Sequence, residues 1–270
     1  MRAGFIDGLK AEKGILILGH RGCRKASVVE NTLPAIQMAI DAGVDGAEID
    51  VETTLDGKLV VVNRWFLNKH FGIFPWERDL STIQAMGLEK GFDIPGFDAV
   101  CEFTGQHPQM ILNVEVKSCD RFVCRTAKQV AKQISASGIM PRVIVSSFDV
   151  NALLTMKYHA PQVETAYLFR REDRVTDLRE KNTLGYKVNG MVNRSGIKAL
   201  VADTLHPEIT LVRGKKRPLW ARYADVRSKR VNIWTVDGEE DFITAQAMGA
   251  DIIISDNPLK TVAFRSRITG

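Results

Sequence analysis

Short β-branched apolar runs alternate along this chain with stretches in which apolar residues recur every three or four positions. The runs that read as strands are 15–19, 46–51, 59–63, 110–116, 142–146, 164–169, 199–203, 231–236 and 251–254. Between them 32–42, 121–137, 149–159 and 239–248 read as amphipathic helices, the first capped by Asn31 with Pro34 in its opening turn. Strand–helix alternation sustained in this way predicts a parallel sheet covered by helices.

Two architectures meet that description, an open doubly wound sheet and a closed barrel. An open sheet gathers its polar residues at one switch point. Here they follow the ends of many strands: His20-Arg21, Glu48 and Asp50, Glu115 and Lys117, Ser146-Ser147, Trp234-Thr235 and Ser255-Asp256. That distribution predicts a TIM-like (β/α)8 barrel with its site on the face where the strands end. Nine strand candidates leave one surplus to an eight-stranded barrel. The surplus strand is expected to be 59–63, because Asp56-Gly57 signals a hairpin and so a return strand, antiparallel within the barrel wall.

Residues 1–270 are expected to form a single domain, interrupted by 64–98. That segment carries Trp65, Phe66, Phe71, Phe74, Trp76, Phe92 and Phe97 among Gly and Pro. It reads either as a loop held by its own aromatic cluster or as an insertion forming a lid over the barrel mouth. Residues 170–198, polar and charged, read as a surface helix and loop.

Composition narrows the class further. With 270 residues, 45% of them hydrophobic and 26% charged, the chain has the profile of a soluble globular protein. It has no run near the roughly 18 apolar residues of a membrane span, and Met1 to Gly14 lacks a signal-peptide core. Cys23, Cys101, Cys119 and Cys124 have no metal-finger spacing and read as reduced thiols of a disulfide-free, cytoplasmic protein. The net charge of +5 is dispersed, and its densest cluster, Arg213-Gly214-Lys215-Lys216-Arg217, lacks interleaved aromatics. This argues against a nucleic-acid partner and leaves a general attraction for anionic substrates.

The strand ends supply the candidate chemistry. Glu48 and Asp50 stand two apart on a strand and share a face, where they suit a hard cation such as Mg²⁺ or Ca²⁺. Asn113, Glu115 and Lys117 repeat that geometry, fitting either a metal with an anion or a structural ion pair. His20 offers an imidazole that titrates near neutrality, Arg21 a bidentate partner for phosphate, and Gly22 a backbone that can turn close to a ligand. Glu30 either holds Arg21, orients His20 or simply complements a helix start. Trp234 reads as a wall for the alcohol portion of a substrate or as a core residue.

Taken in order, these motifs resemble the glycerophosphodiester phosphodiesterases. The resemblance rests on His20-Arg21-Gly22, Glu30-Asn31-Thr32, Glu48-Ile49-Asp50-Val51, Thr54-Leu55-Asp56-Gly57, Val60-Val61-Val62, Glu115-Val116-Lys117, Ser147-Phe148, Trp234-Thr235-Val236 and Ser255-Asp256-Asn257-Pro258. It implies a TIM barrel, one divalent cation (Mg²⁺ or Ca²⁺) and cleavage of a small glycerol phosphodiester to an alcohol and a phosphomonoester. By position, Glu48, Asp50 and Glu115 would hold the metal, and Arg21 and Lys117 the phosphate. His20 would be one of two acid–base histidines. The second should stand at Asn63, followed by an Asp where Arg64 is found. An amide cannot exchange a proton near neutral pH. The chain is therefore expected to be a phosphodiesterase with a substitute acid (His70, unless that is an ordinary loop residue), an enzyme for an atypical sugar- or opine-like diester, or a non-catalytic binder.

Overall fold

In the computed structural model, residues 4–24, 27–117, 124–170, 202–213 and 229–269 are described. The elements run α1 (Phe5–Lys13), β1 (Leu16–His20), α2 (Leu33–Asp41), β2 (Gly46–Thr53), β3 (Leu59–Val61), α3 (Arg64–Phe71), α4 (Leu80–Glu89), α5 (Phe97–Gln106) and β4 (Ile111–Val116). They continue with α6 (Arg125–Ser137), β5 (Val143–Ser147), α7 (Val150–His159), β6 (Glu164–Phe169), β7 (Thr204–Pro207), β8 (Arg230–Trp234), α8 (Glu239–Ala247), β9 (Ile252–Ser255) and α9 (Pro258–Thr269). The sheet order is β1-β9-β8-β7-β6-β5-β4-β2-β3, and β1 also pairs with β2. Eight parallel strands thus close a TIM-like barrel.

The surplus strand is the expected one, and its position is a correction. β3 pairs antiparallel with β2 through Val51↔Val61, Glu52↔Val60 and Thr53↔Leu59, but it lies outside the ring instead of within the wall. β2 pairs with β1 along its first half and with β3 along its last residues, so its final turns extend beyond the closed wall and need another partner. The hairpin is tight: Thr54 N donates to Lys58 O at 2.9 Å, and Gly57 adopts φ 76°, a left-handed conformation that suits glycine.

The side chains of each strand alternate between two environments. Outward residues such as Ile49, Val51, Leu112, Val114 and Val145 pack under the helices in one core cluster with Ala127, Val130 and Ile134 of α6. Inward residues in the lower part of the barrel, Leu16, Leu18, Ile111, Ile144, Ala166, Ile252 and Ile254, form another with Ile6 and Leu9 of α1. α1 therefore closes the end of the barrel where the strands begin. Each such apolar side chain, fully buried, is worth roughly 1.5–3 kcal/mol relative to exposure.

Three local expectations change. The strand placed at 199–203 is β7 at Thr204–Pro207, joining β6 through Ala166↔Thr204. Its inward positions are Thr204, His206 and Glu208, which is why a search for apolar runs slid upstream. Asp203 serves the entry to the ladder instead, its carboxylate accepting from Thr165 N at 2.9 Å and Thr165 Oγ1 at 3.1 Å. The cap of α2 is Thr32, whose hydroxyl accepts from Ala35 N at 3.4 Å; Asn31 takes a left-handed φ of 62° and turns its amide inward. Cys124 is disulfide-bonded, to a partner outside the described residues, while Cys23 and Cys101 are free. This corrects the disulfide-free reading. Thiol spacing in a sequence carries no information on the Cα approach that such a bond requires.

The aromatic segment is more regular than a loop. It forms α3, a 3-10 turn at Pro75–Glu77 and α4, around a small core of Val60, Val62, Leu67, Ile83 and Ile94 with Phe66, Phe71 and Phe92 against it. The surface segment expected at 170–198 lies outside the described residues beyond Arg170, as does the basic run after Arg213. No described helix is long and apolar enough to cross a membrane.

Candidate active site

A cavity of about 340 Å³ opens where the strands end, lined by His20, Arg21, Glu48, Asn63, Glu115, Lys117 and Trp234 among others. Those seven come from four strands (β1, β2, β4 and β8) or the residues just past them, and from one helix start, that of α3. The barrel brings them together because its strands run parallel: His20, Arg21, Glu115, Lys117 and Trp234 lie at or just past strand ends, Glu48 points inward from within the longer β2, and Asn63 caps α3.

β1 delivers His20 and Arg21 through a sharp turn. Gly22 has φ 81°, and a Cβ there would lie 2.6 Å from the Ala35 carbonyl carbon, so only glycine fits between this turn and α2. Arg21 itself adopts φ 53°, a conformation disfavoured for a long side chain. Its side chain and backbone hold it there: Nη1 donates to Glu30 Oε1 at 2.6 Å, N to Glu48 Oε2 at 2.9 Å, and Nε lies 3.0 Å from Asp50 Oδ2. Of the roles open to Glu30, the structure gives the one of holding Arg21, and Arg24 Nε also reaches it at 3.1 Å.

His20 is oriented instead by Asp256, which follows β9, with Nδ1 2.5 Å from Oδ1. The opposite nitrogen, Nε2, lies 3.6 Å from Glu48 Oε2. A carboxylate at Nδ1 fixes the proton there and leaves Nε2 as the basic nitrogen facing the cavity.

Glu48, Asp50 and Glu115 are buried and offer ligand atoms within 4.8 Å of one another. Glu48 Oε1 is buried without a hydrogen-bond partner. Burial pushes the Glu48 carboxyl up to about 7 against the pull of His20, with Asp50 and Glu115 adding to the rise. Burial acts on Asp50 in the same direction, but Arg21 and Lys117 outweigh it and hold this carboxylate far below its usual range. Lys117 joins the pair: its Nζ bonds Glu115 Oε1 at 2.5 Å and also contacts Asp50 Oδ1. Its ammonium is held above the ordinary lysine range although burial alone would lower it. Three carboxylates, with Glu48 Oε1 and Asp50 Oδ1 both buried without a hydrogen bond and the latter facing Lys117 as an ion pair, are a donor set of the kind hard cations take.

Asn63 has a structural role that its sequence position concealed. Its Oδ1 accepts from Trp65 N at 3.0 Å and Phe66 N at 3.4 Å, capping α3, while Nδ2 donates to Asp50 Oδ2 at 3.0 Å. Asn31 meets the same carboxylate from the other side, Nδ2 to Oδ2 at 3.0 Å and Oδ1 from Asp50 N at 2.9 Å. Arg64, the next residue, is bound through two nitrogens to buried Glu52. His70 is not brought to the cavity. It sits 4.3 Å from the Phe66 ring and 5.2 Å from that of Phe92, centroid to centroid.

The far wall is aromatic. Trp234 lines the cavity with its Nε1 donating to His206 O at 2.8 Å, and Phe148 meets it edge-on at 5.7 Å. Trp65, Arg24, Phe148, Arg170 and Glu208 complete much of the lining. The sequence assigns no site role to Arg24, Arg170 or Glu208, and names Trp65 only within the 64–98 segment and Phe148 only within the Ser147-Phe148 motif, although Phe148 and Arg170 each directly follow a strand end.

A model of the glycerophosphoryl diester phosphodiesterase family matches residues 20–260. A glycerophosphodiester phosphodiesterase of Bacillus altitudinis is 26% identical over 264 residues, covering 93% of this chain and 98% of that one. One from Caldanaerobacter subterraneus is 27% identical over 257 residues, covering 90% and 94%. Among solved structures, a glycerophosphodiester phosphodiesterase from Parabacteroides distasonis superposes with a TM-score of 0.76 at 21% identity, covering 96% of this chain and 99% of that one. A phosphodiesterase from Oleispira antarctica, in complex with the product sn-glycerol-3-phosphate, superposes at 0.64 with 19% identity, covering 93% and 96%.

Proposed function

The chain belongs to the glycerophosphoryl diester phosphodiesterase family, and from that premise we propose that it is a divalent-cation-dependent hydrolase releasing an alcohol and a phosphomonoester from a small glycerophosphodiester. The observation that carries this reading is a cavity lined by His20, Arg21, Glu48, Glu115 and Lys117, with buried Asp50 joining the carboxylates and both cations behind it and Asp256 orienting His20. A relative of the same fold binds sn-glycerol-3-phosphate, the type of product expected here.

Glu48, Asp50 and Glu115 are the residues that would hold the cation; Glu48 Oε1 has no hydrogen bond, and Asp50 Oδ1 has none either but faces Lys117. A bound Mg²⁺ or Ca²⁺ supplies positive charge that polarises the phosphoryl group and offsets the charge developing on it. Arg21 and Lys117 receive the phosphoryl oxygens as fixed donors, already oriented by Glu30, Asp50 and Glu115. His20 accepts at Nε2 the proton of the attacking hydroxyl as the P–O bond to the departing alcohol breaks. Attack by water gives the phosphomonoester directly, and attack by the neighbouring glycerol hydroxyl gives a cyclic phosphodiester whose ring water then opens to the same monoester. Asp256 stabilises the imidazolium so formed.

Asn63 stands where the family resemblance puts a second histidine, and we propose that no proton passes through it. Its oxygen is committed to two backbone donors and its nitrogen to Asp50, so the leaving alkoxide takes its proton from solvent or from His20. The segment 64–98 is proposed to border the mouth as an insertion of the one barrel domain, with Trp65 as its contribution to the cavity.

The test is an assay of glycerophosphodiesters with Mg²⁺ or Ca²⁺, comparing wild type with Glu48→Ala, His20→Ala and Asn63→His. Cation-dependent turnover that is lost in the first two variants supports the hydrolase. Ligand binding without turnover, with activity gained in Asn63→His, would make the protein a phosphate-ester binder.

A further inference from the structure

The cavity presents more positive charge than one phosphodiester needs, and that charge stands on two opposite walls. Arg21, Arg24 and Lys117 belong to the β1 and β4 side. Each is engaged with carboxylates: Arg21 with Glu30 and Asp50, Arg24 with Glu30 and Asp256, Lys117 with Asp50 and Glu115. Arg170 enters elsewhere. It follows β6, which is four strands from β1 in either direction around the ring and so faces it across the mouth. Arg170 therefore enters the cavity from the side opposite Arg21.

The Arg170 guanidinium lies over the Phe148 ring, 4.4 Å from its centroid, and Phe148 in turn meets Trp234 edge-on. A guanidinium held over a ring through its face keeps N–H donors with which a carboxylate or phosphate can be received through two hydrogen bonds. Stacking also fixes the side chain in advance, which lowers the entropy lost on binding. The aromatic pair beneath gives the carbon skeleton of an alcohol a dry surface. Glu208 on the adjoining strand end contributes a carboxylate to the same lining, and the five donors of an arginine suffice to face it and a ligand together.

We propose that the alcohol half of the substrate carries an acidic group of its own, a carboxylate or a phosphate, and that Arg170 on its Phe148 shelf receives it. This rests on the phosphodiester reading of the site and adds a substrate class to it: diesters of anionic alcohols over those of neutral or cationic ones.

Matched pairs of diesters isolate the added group. Glycerophosphoserine differs from glycerophosphoethanolamine by one carboxylate, and glycerophosphoinositol 4-phosphate differs from glycerophosphoinositol by one phosphate. For each pair the ratio of kcat/KM, and the ratio of Kd from calorimetry in the presence of Ca²⁺, is measured for wild type, Arg170→Gln, Arg170→Lys and Phe148→Ala. The acidic member is expected to be favoured about tenfold or more in wild type. The preference falls to near one in Arg170→Gln and to an intermediate value in Arg170→Lys and Phe148→Ala. Whichever pair shows the larger ratio identifies the group as carboxylate or phosphate. A ratio near one in wild type for both pairs, or a preference that persists in Arg170→Gln, overturns the proposal. Because the Kd ratio needs no turnover, a chain that binds the acidic diesters selectively without cleaving them would refute the hydrolase and leave the Arg170 assignment standing.

Discussion

In the lower half of the barrel Leu18, Ile111, Ile144 and Ile252 face inward against Ile6 and Leu9 of α1. Two residues further along the same strands the inward positions are His20, Asn113, Ser146 and Ile254, and a further step brings Glu115 and Asp256. The backbone is continuous, and the alternation of side chains does not change. What changes is the solvent each layer replaces. The lower layer trades water for hydrocarbon and gains free energy from every contact. The upper layer buries carboxylates, an ammonium and guanidiniums, and each of these pays a desolvation penalty that its partners only partly return. The charged end is thus held in shape by the apolar end beneath it, and the two should fail differently when altered.

The largest effect is expected at the charged end. His20→Ala should lower kcat roughly 10²–10⁴-fold with little change in melting temperature, measured by steady-state kinetics beside a thermal melt. A large fall in stability with unchanged turnover would reverse the roles assigned to the halves. Leu18→Ala, in the fully buried lower cluster, should cost about 2–5 kcal/mol in denaturant unfolding while turnover of the folded fraction stays near that of wild type.

The boundary between the halves is marked by His206, fully enclosed on β7 with Nε2 2.7 Å from Asn232 Nδ2. Burial pushes this imidazole down to about 3, so it stays neutral in the fold and gains a proton on unfolding once the pH drops below its ordinary value of about 6.5. Its contribution to stability is present above that value and is lost as the pH falls toward about 3. The slope is about 1.4 kcal/mol per pH unit over that window. Unfolding curves at a series of pH values should show His206→Gln lacking this slope; an identical acid dependence in wild type and variant would contradict it. The smallest effect belongs to the edge of the charged end. Asn63→Ala should cost on the order of 1 kcal/mol through loss of the α3 cap, whereas Asn63→Ser, which keeps an acceptor for the cap, should recover most of that stability but not the hydrogen bond to Asp50. Paired melts of the two variants check this.

The lower half and the outer shell were the legible parts of the sequence. Eight of the nine strand readings fall on observed strands, because β-branched runs separated by amphipathic helices admit few alternatives once polar residues are seen at many strand ends. β7 was misplaced because its inward residues Thr204 and His206 are polar, so hydrophobic period says nothing about where it begins. In the site, the residues that follow strand ends in a recognisable order, from His20 to Lys117, were legible. Those that act on a partner remote in sequence were not: Asp256 contacts His20 over 236 positions, and Arg170 takes its meaning only from its place opposite β1. Asn63 was read as a missing acid, although an asparagine directly before a helical run is also an ordinary cap. Both descriptions fit the sequence; only the positions of Trp65 N and Asp50 distinguish them.

The contact between His20 and Asp256 has a consequence for how the molecule comes into being. It joins the first strand of the ring to the residue just past the last, and the neighbouring β1–β9 ladder, Leu16↔Ile252 through Gly19↔Ser255, is the seam that turns a curved sheet into a closed barrel. Pairings so distant along the chain are the slow ones to form. On the ribosome, everything from Arg21 to Trp234 can emerge before the partner of His20 has been synthesised. The geometry that turns His20 into a base is therefore a late event in the life of each molecule, and partly folded chains, with their ring still open, lack the aligned imidazole.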